Sequence, residues 1–325
     1  MNKSGGAFAR EQDRTARLAN VALLYYGEGL TQNEIAKRLR VSRVTVVNLL
    51  REAREHGIVE IHVNGRQLTE STLARDLAAK FDLRDVYVSD AFDTPQQDRA
   101  ATLRQLGRVS SMAFLDIVEP GDRVGIAWGE TILALCKELP RVQVEGAEVS
   151  QLIGSMISER VPASEDCTIR IASQIGAACY TLHAPALAST PELAELIRNE
   201  PTIATQLNRL RNLDLVAFSI SNVSDETHLA AAGMASREDL RAARARGARG
   251  VICCRFIDAE GKEIDTSPSE RLIAARTQDL LAPQKRMLVV CGEDRADAVR
   301  AALAGGFVTH LCLDSRLGQA LLSAT

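Results

Sequence analysis

The 325-residue sequence predicts an N-terminal helix-turn-helix unit joined to an α/β unit with a Rossmann-like, mostly parallel sheet. Three observations predict this. Residues 31–63 read as helix, tight turn, second helix and short strand. From residue 85 onward, short apolar strand patterns alternate with helical patterns, which implies parallel strands covered on both faces. Charge is also unevenly shared. Residues 1–66 hold 11 Lys+Arg against 7 Asp+Glu, an excess of +4, while the whole chain is −3, so residues 67–325 carry −7.

Residues 1–13 are small, polar and Gly-containing, and are expected to be disordered. A helix over about 15–26 presents Leu18, Val21, Ala22 and Tyr25 as support for the helices that follow. Thr31 with Glu34 forms a capping-box pattern, S/T-x-x-E. Ile35, Ala36 and Leu39 then give an apolar face at helical spacing. Arg40-Val41 makes the turn, and Ser42 reads as the N-cap of a second helix reaching about Glu55. Val46, Leu49, Leu50 and Ala53 form its inward stripe. Gly57 permits the left-handed cap that ends it. Residues 58–63 alternate like a half-buried strand, a small wing.

In a helix-turn-helix the second helix enters the major groove, and its first turns meet base edges. Arg43 suits guanine or phosphate, Asn48 suits adenine, and Thr45 and Val47 suit a thymine methyl. Ser42, Lys37, Arg38 and Arg51 suit phosphates, which position without reading sequence. Thr31 and Gln32, at the start of the first helix, complete the candidate contacts. A plain helical hairpin with a solvated basic face shares the spacing. Cap, turn length, polar first turn and trailing strand together favour the DNA reader. Its small positive excess makes one copy a weak binder, so a homo-oligomer on a two-part operator is expected.

Composition bounds the rest. Apolar content of 46% and charged content of 25% are ordinary for a globular protein. The length suits two domains, placed at 1–66 and 67–325. The seven Cys show neither C-x-x-C nor zinc spacing. They read as reduced, mostly buried thiols, with no metal site and no cofactor. No apolar run approaches the ~18 residues of a membrane span, and the N-terminus lacks a signal-peptide core. The expected location is the cytoplasm, with no membrane partner.

In the second domain, residues 69–81 form an amphipathic helix through Leu73, Leu77 and Phe81. It is either a dimer seam or the first core helix. Strands are predicted at 86–88, 122–127, 149–153, 179–182, 215–220, 251–256, 287–291 and 309–313. Helices are predicted at 96–118, 130–139, 165–178, 191–199, 203–212, 236–246 and 294–304. Ligands of open α/β sheets sit at the carboxyl ends of strands, often against a helix N-terminus. Three strand ends qualify: Trp128, Gly129, Glu130 and Thr131; Gly154 and Ser155; and Glu293 with Arg295. Strand–Gly–helix turns are routine connections, so each alone is a weak signal. Together they gain force, because strand ends of one sheet converge.

These residues carry a resemblance. The sequence resembles the SorC family of bacterial transcription regulators, also described as DeoR-like sugar-binding regulators, from about residue 15 to 322. The marks are Val41-Ser-Arg-Val-Thr-Val46, Glu52-Ala-Arg-Glu-His-Gly-Ile-Val59, Gly125-Ile-Ala-Trp-Gly129, His183-Ala-Pro-Ala186, the stretch 250–258 and the stretch 289–314. The resemblance implies a sugar-phosphate-isomerase-like effector domain whose phosphorylated-sugar ligand alters operator binding. It also implies a dimer or tetramer. Ser219, Ser221 and Asp258 join the candidate effector residues on this basis. Several positions depart from the family pattern: Val47, Asn48, Ser219 and Ser221 in place of glycines, Val251, Arg295 in place of Lys, and Glu130 beside the anion site.

The expected function is therefore an effector-controlled regulator of a carbohydrate-use operon, not an enzyme. The rival is an isomerase-like enzyme with an added DNA arm, which needs a positioned acid–base pair. Asp258 and Asp265 have no evident basic partner in sequence, and His183 before Ala-Pro reads as a turn residue.

Overall fold

The computed structural model describes residues 4–59, 69, 71–89, 99–156, 164–225 and 227–323. The chain divides into two compact units, residues 1–63 and 64–325.

In the first unit α1 (Ser4–Ala22) runs into a π-helical turn (Leu23–Gly27), followed by α2 (Gln32–Leu39) and α3 (Arg43–Glu55). Of the stretch 1–13 expected to be disordered, residues 4–13 fall in α1, where the Ala, Arg, Glu and Gln after Gly6 are good helix formers, and residues 1–3 lie outside the described residues. Thr31 and Glu34 form the capping box, with Thr31 N–H donating to Glu34 Oε2 (2.7 Å) and Glu34 N–H to Thr31 Oγ1 (3.3 Å). Arg40 takes the left-handed conformation (φ 53°) that turns α2 into α3. Val21, Leu24, Ile35, Ala36, Val46 and Leu50 are buried together. Ile58 and Val59 join no strand, since both amides donate back to Ala53 O. The rest of the expected wing, residues 60–63, lies outside the described residues.

The second unit opens with α4 (Thr72–Phe81), β1 (Asp85–Ser89), α5 (Arg99–Ile117), β2 (Arg123–Ile126) and α6 (Glu130–Glu138). Next come β3 (Glu148–Gln151), α7 (Ser164–Ile175), β4 (Ala178–Tyr180), α8 (Pro191–Asn199) and α9 (Pro201–Arg209). Then follow β5 (Leu215–Phe218), β6 (Ile220–Ser221), α10 (His228–Ala231), α11 (Arg237–Ala245), β7 (Gly250–Ile252) and β8 (Arg255–Ile257). The chain finishes through α12 (Ser267–Arg271), α13 (Thr277–Leu281), β9 (Lys285–Val290), α14 (Ala296–Ala304), β10 (His310–Asp314) and α15 (Ser315–Ser323).

Seven strands form a sheet in the order β1-β10-β9-β5-β2-β3-β4, parallel at every pairing. Alternate residues serve opposite faces. Val86, Val216, Phe218, Leu288 and Leu311 pack with α4, α14 and α15, while Tyr87, Ile126, Val149, Leu215 and Val289 pack with α5, α6 and α7. This double burial explains why the strands read as unbroken apolar runs. The 69–81 pattern is a core helix: it starts at Thr72 behind a Ser71 cap and buries Ala74 and Leu77.

Two predicted strands are each divided. The 215–220 run ends as β5 at Phe218, and β6 leaves for a separate antiparallel sheet, β6-β7-β8. The 251–256 run is a hairpin turning at Cys253 (φ 47°) and Cys254 (φ 62°). Left-handed pairs of this kind are usually Asn-Gly or Asp-Gly, so Cys-Cys carries no turn signal.

At the amino end of the sheet His310 is almost fully buried, with Nε2 3.7 Å from Asp85 Oδ2. Burial pulls its pKa down to about 4, and Arg84, Lys285 and Arg286 act the same way. The folded pKa lies below the unfolded ~6.5, so the unfolded chain binds the extra proton and stability falls as pH drops from about 6.5 to about 4. The loss should reach on the order of 3 kcal/mol, and His310→Gln should flatten it in urea melts at stepped pH.

Candidate functional site

In the chain order, β2 connects outward to β3 and β4, while β5 lies on the other side of β2. The connections that leave the carboxyl ends of β2 and β5 therefore run to opposite sides, which makes a topological switch point, where open α/β sheets bind ligands. A cleft lies there. It is lined by Arg99, Trp128, Gly129, Glu130, Thr131, Ser219, Ser221 and Arg295, and by apolar Leu229, Val251, Cys253 and Cys254.

Each part has a local cause. Gly129 (φ +136°) ends β2 and caps α6, and a Cβ on it would sit 2.6 Å from Ser219 Oγ. Only glycine makes that turn without strain. Ser219 Oγ donates to Trp128 O (3.0 Å), tying the two strand ends together where β5 gives way to β6. Thr131 Oγ1 donates to Val289 O (2.8 Å), which pins the first turn of α6 to β9. The first amides of a helix have no intrahelical acceptor, so α6 points donors toward the cleft.

Two guanidinium groups enter, each with an acidic neighbour. Arg99 Nη2 donates to Glu130 Oε2 at 2.6 Å. Burial opposes the Arg99 charge, but the hydrogen bond and charge of Glu130 outweigh it and raise its pKa. Arg295 Nη1 donates to Cys291 O (3.0 Å) and Asp294 Oδ1 (3.1 Å). Asp294 is further held by Asn222 Nδ2 (2.8 Å). The two cysteines are protonated, since burial pushes the Cys253 thiol up to about 12 and Cys254 higher still.

Of the sequence-predicted effector residues, the cleft gathers Trp128, Gly129, Glu130, Thr131, Ser219, Ser221 and Arg295. Gly154, Ser155, Glu293 and Asp258 do not line it. Gly154 is pressed against Ala184 and Pro185 backbone, and Ser155 bridges Pro185. Asp258 accepts from Glu260 and Lys262 amides and so stabilises a turn. Glu293 starts the 3-10 turn before α14. Sequence reasoning missed Arg99, Cys253 and Cys254. Arg99 stands on a helix after β1, far from any Gly-rich turn, and nothing local marks it.

On the reader, Ser42 Oγ accepts from Thr45 N–H (3.0 Å) and meets Thr45 Oγ1 at 2.8 Å. The Thr45 hydroxyl is thus part of the cap, as the Thr31 hydroxyl is in its own box with Glu34 (2.7 Å). Gln32 Oε1 accepts from Arg43 Nε (3.2 Å), so Gln32 orients Arg43. Lys37, Ser42, Arg43, Val47, Asn48 and Arg51 are exposed.

Residues 66–323 match the family model described as "Putative sugar-binding domain", and residues 15–56 match sigma-70 region 4. The chain belongs to the SorC family of sugar-binding transcription regulators. This SorC-family chain is 32% identical to the uncharacterized transcriptional regulator YjhU of Escherichia coli (strain K12), across 92% of each chain. It is 28% identical to the deoxyribonucleoside regulator of Bacillus subtilis (strain 168), across 93% of this chain and 96% of that one. The full-length sorbitol operon regulator SorC of Klebsiella pneumoniae matches with a TM-score of 0.70 and 25% identity, covering 96% of this chain and 100% of that one. The SorC-family chain is thus a DNA-binding regulator with a sugar-binding domain. Among the described residues no helix is long and apolar enough to cross a membrane.

Proposed function

We propose that this regulator controls a carbohydrate-use operon in the cytoplasm, binding a phosphorylated sugar or polyol in the cleft between β2, β5 and β9. Relatives named for sorbitol, erythritol and deoxyribonucleosides support the substrate class. The observation that carries the reading is the cleft itself. Helix donors, two serines, Thr131 and two guanidinium groups converge at a switch point. Ligand binding there shifts the population of conformers and changes operator affinity, a coupling typically of ~1–3 kcal/mol. The protein acts as a dimer or tetramer on double-stranded operator DNA, matching a two-part site.

A thermal-shift screen of free and phosphorylated sugars tests the effector. A true effector at a hundredfold excess over Kd stabilises by ~2.7 kcal/mol. The same compound must change the affinity for promoter DNA; if no sugar does, the proposal fails. The rival isomerase reading needs an acid–base pair. Among the described residues the cleft lining holds one carboxylate, Glu130, which accepts from Arg99. Turnover of any sugar phosphate in the screen would favour that rival.

Glu130 also reports on ligand charge. Glu130→Gln removes the carboxylate that Arg99 bonds and makes the cleft more positive by one charge. A phosphorylated effector should then bind roughly tenfold more tightly, whereas a neutral polyol should not gain. Titration calorimetry with matched phosphorylated and free sugars checks the sign.

A further inference from the structure

The outward face of α3 carries Val44, Val47, Asn48 and Arg51, at positions i, i+3, i+4 and i+7 of one stripe. Val44 is 68% exposed and Val47 41%. Folding gives no reason for either. β-branched residues lower helix propensity, and here they gain little burial in return. Thr45, the other methyl-bearing residue of the first turn, is drawn into the Ser42 cap. Two exposed isopropyl groups therefore stand on the first turns of the helix read as entering the groove, beside an amide able to read adenine.

We propose that Val44 and Val47 are specificity-determining residues that contact the 5-methyl groups of two thymines in each operator half-site. This rests on the reading of α3 as the DNA-reading helix. Residues three apart on a helix lie ~5–6 Å apart at Cβ. The duplex rises ~3.4 Å per base pair. The two thymines therefore lie one to two base pairs apart, with Asn48 set against a neighbouring adenine. Arg43, braced by Gln32, and Arg51 flank the pair at the two ends of the stripe. Methyl contact distinguishes T from C at these steps without any hydrogen bond, because only thymine carries that group in the major groove.

Selection of duplexes from a random pool with the full-length protein supplies the probe. Each thymine of the selected half-site is then replaced singly by deoxyuridine, which removes the methyl and leaves the base pair unchanged. Two positions, one to two steps apart, should lose about fourfold in affinity, the value of one buried methyl. Val44→Ala should abolish the deoxyuridine response at one of them and Val47→Ala at the other. Val44→Thr, which keeps a methyl, should retain the response. If no duplex is enriched, the DNA-reading assignment fails and the proposal falls with it. Enriched duplexes that bind equally well with deoxyuridine throughout overturn methyl reading alone. So does an unchanged response in both alanine variants.

Discussion

Replacing Asp314 with alanine should cost the second unit roughly 3 kcal/mol or more and weaken effector binding with it. Asp314 is 3% exposed at the end of β10. One carboxylate oxygen accepts from Gly292 N–H (2.7 Å) and the other from Arg316 and Leu317 N–H (both 3.1 Å). The last two amides belong to the first turn of α15, where no helical acceptor exists. The variant would leave one buried donor, Leu317 N–H, and two part-buried ones without this acceptor, at about 1–3 kcal/mol for the buried donor and less where water reaches. Gly292 (φ +100°) also shapes the turn that presents Arg295 to the cleft. Loosening it should displace Arg295 and lower affinity for any ligand held there. Asp314→Asn keeps an acceptor oxygen and should recover part of the loss. The single tryptophan, Trp128, lies buried at the cleft, so urea melts followed by its fluorescence report on this unit. An alanine variant within ~0.5 kcal/mol of wild type would show that the three bonds contribute little.

The division between legible and illegible features follows physical range. Caps, turns and periodic apolar faces are local, so the Thr31 box, the Ser42 cap and the alternation of helices and strands stand in the sequence. The sheet's switch point could be anticipated because strand–Gly–helix turns recur along it. Its membership could not. Gly154 and Gly129 look alike in sequence, yet one packs on Pro185 backbone and the other opens the cleft. Only the order of strands separates them. Arg99 reaches Glu130 across 31 positions, and Thr131 reaches Val289 across 158. No window of sequence contains either pair. The split of the 215–220 and 251–256 runs was hidden for a related reason. Ser219 breaks the first run by bonding Trp128 O, and Cys253-Cys254 turns the second without glycine or asparagine. Both breaks lie on the cleft, where local rules yield to the shape of a site.

Ile35→Ala should weaken operator binding at least tenfold while leaving the second unit untouched. Ile35 is fully buried at the centre of a small core with Val21, Leu24, Val46 and Leu50. Truncating it removes about 2–5 kcal/mol. A unit of ~60 residues buries a smaller share of its surface than a larger one and has little stability to lose. A loss of that size should leave roughly a tenth or less of residues 1–63 folded, so DNA affinity should drop at least about tenfold. The second unit has its own larger core, and Trp128 lies within it. Its fluorescence melt and its response to sugars should therefore be unchanged. Val44→Ala, at an exposed position of the same reader, should leave the helices folded and lose only about fourfold in affinity, together with the discrimination between bases at one step. The two substitutions separate what holds the reader together from what it reads. An Ile35→Ala protein that binds DNA at wild-type strength would mean the three helices gain their stability from contacts other than this core.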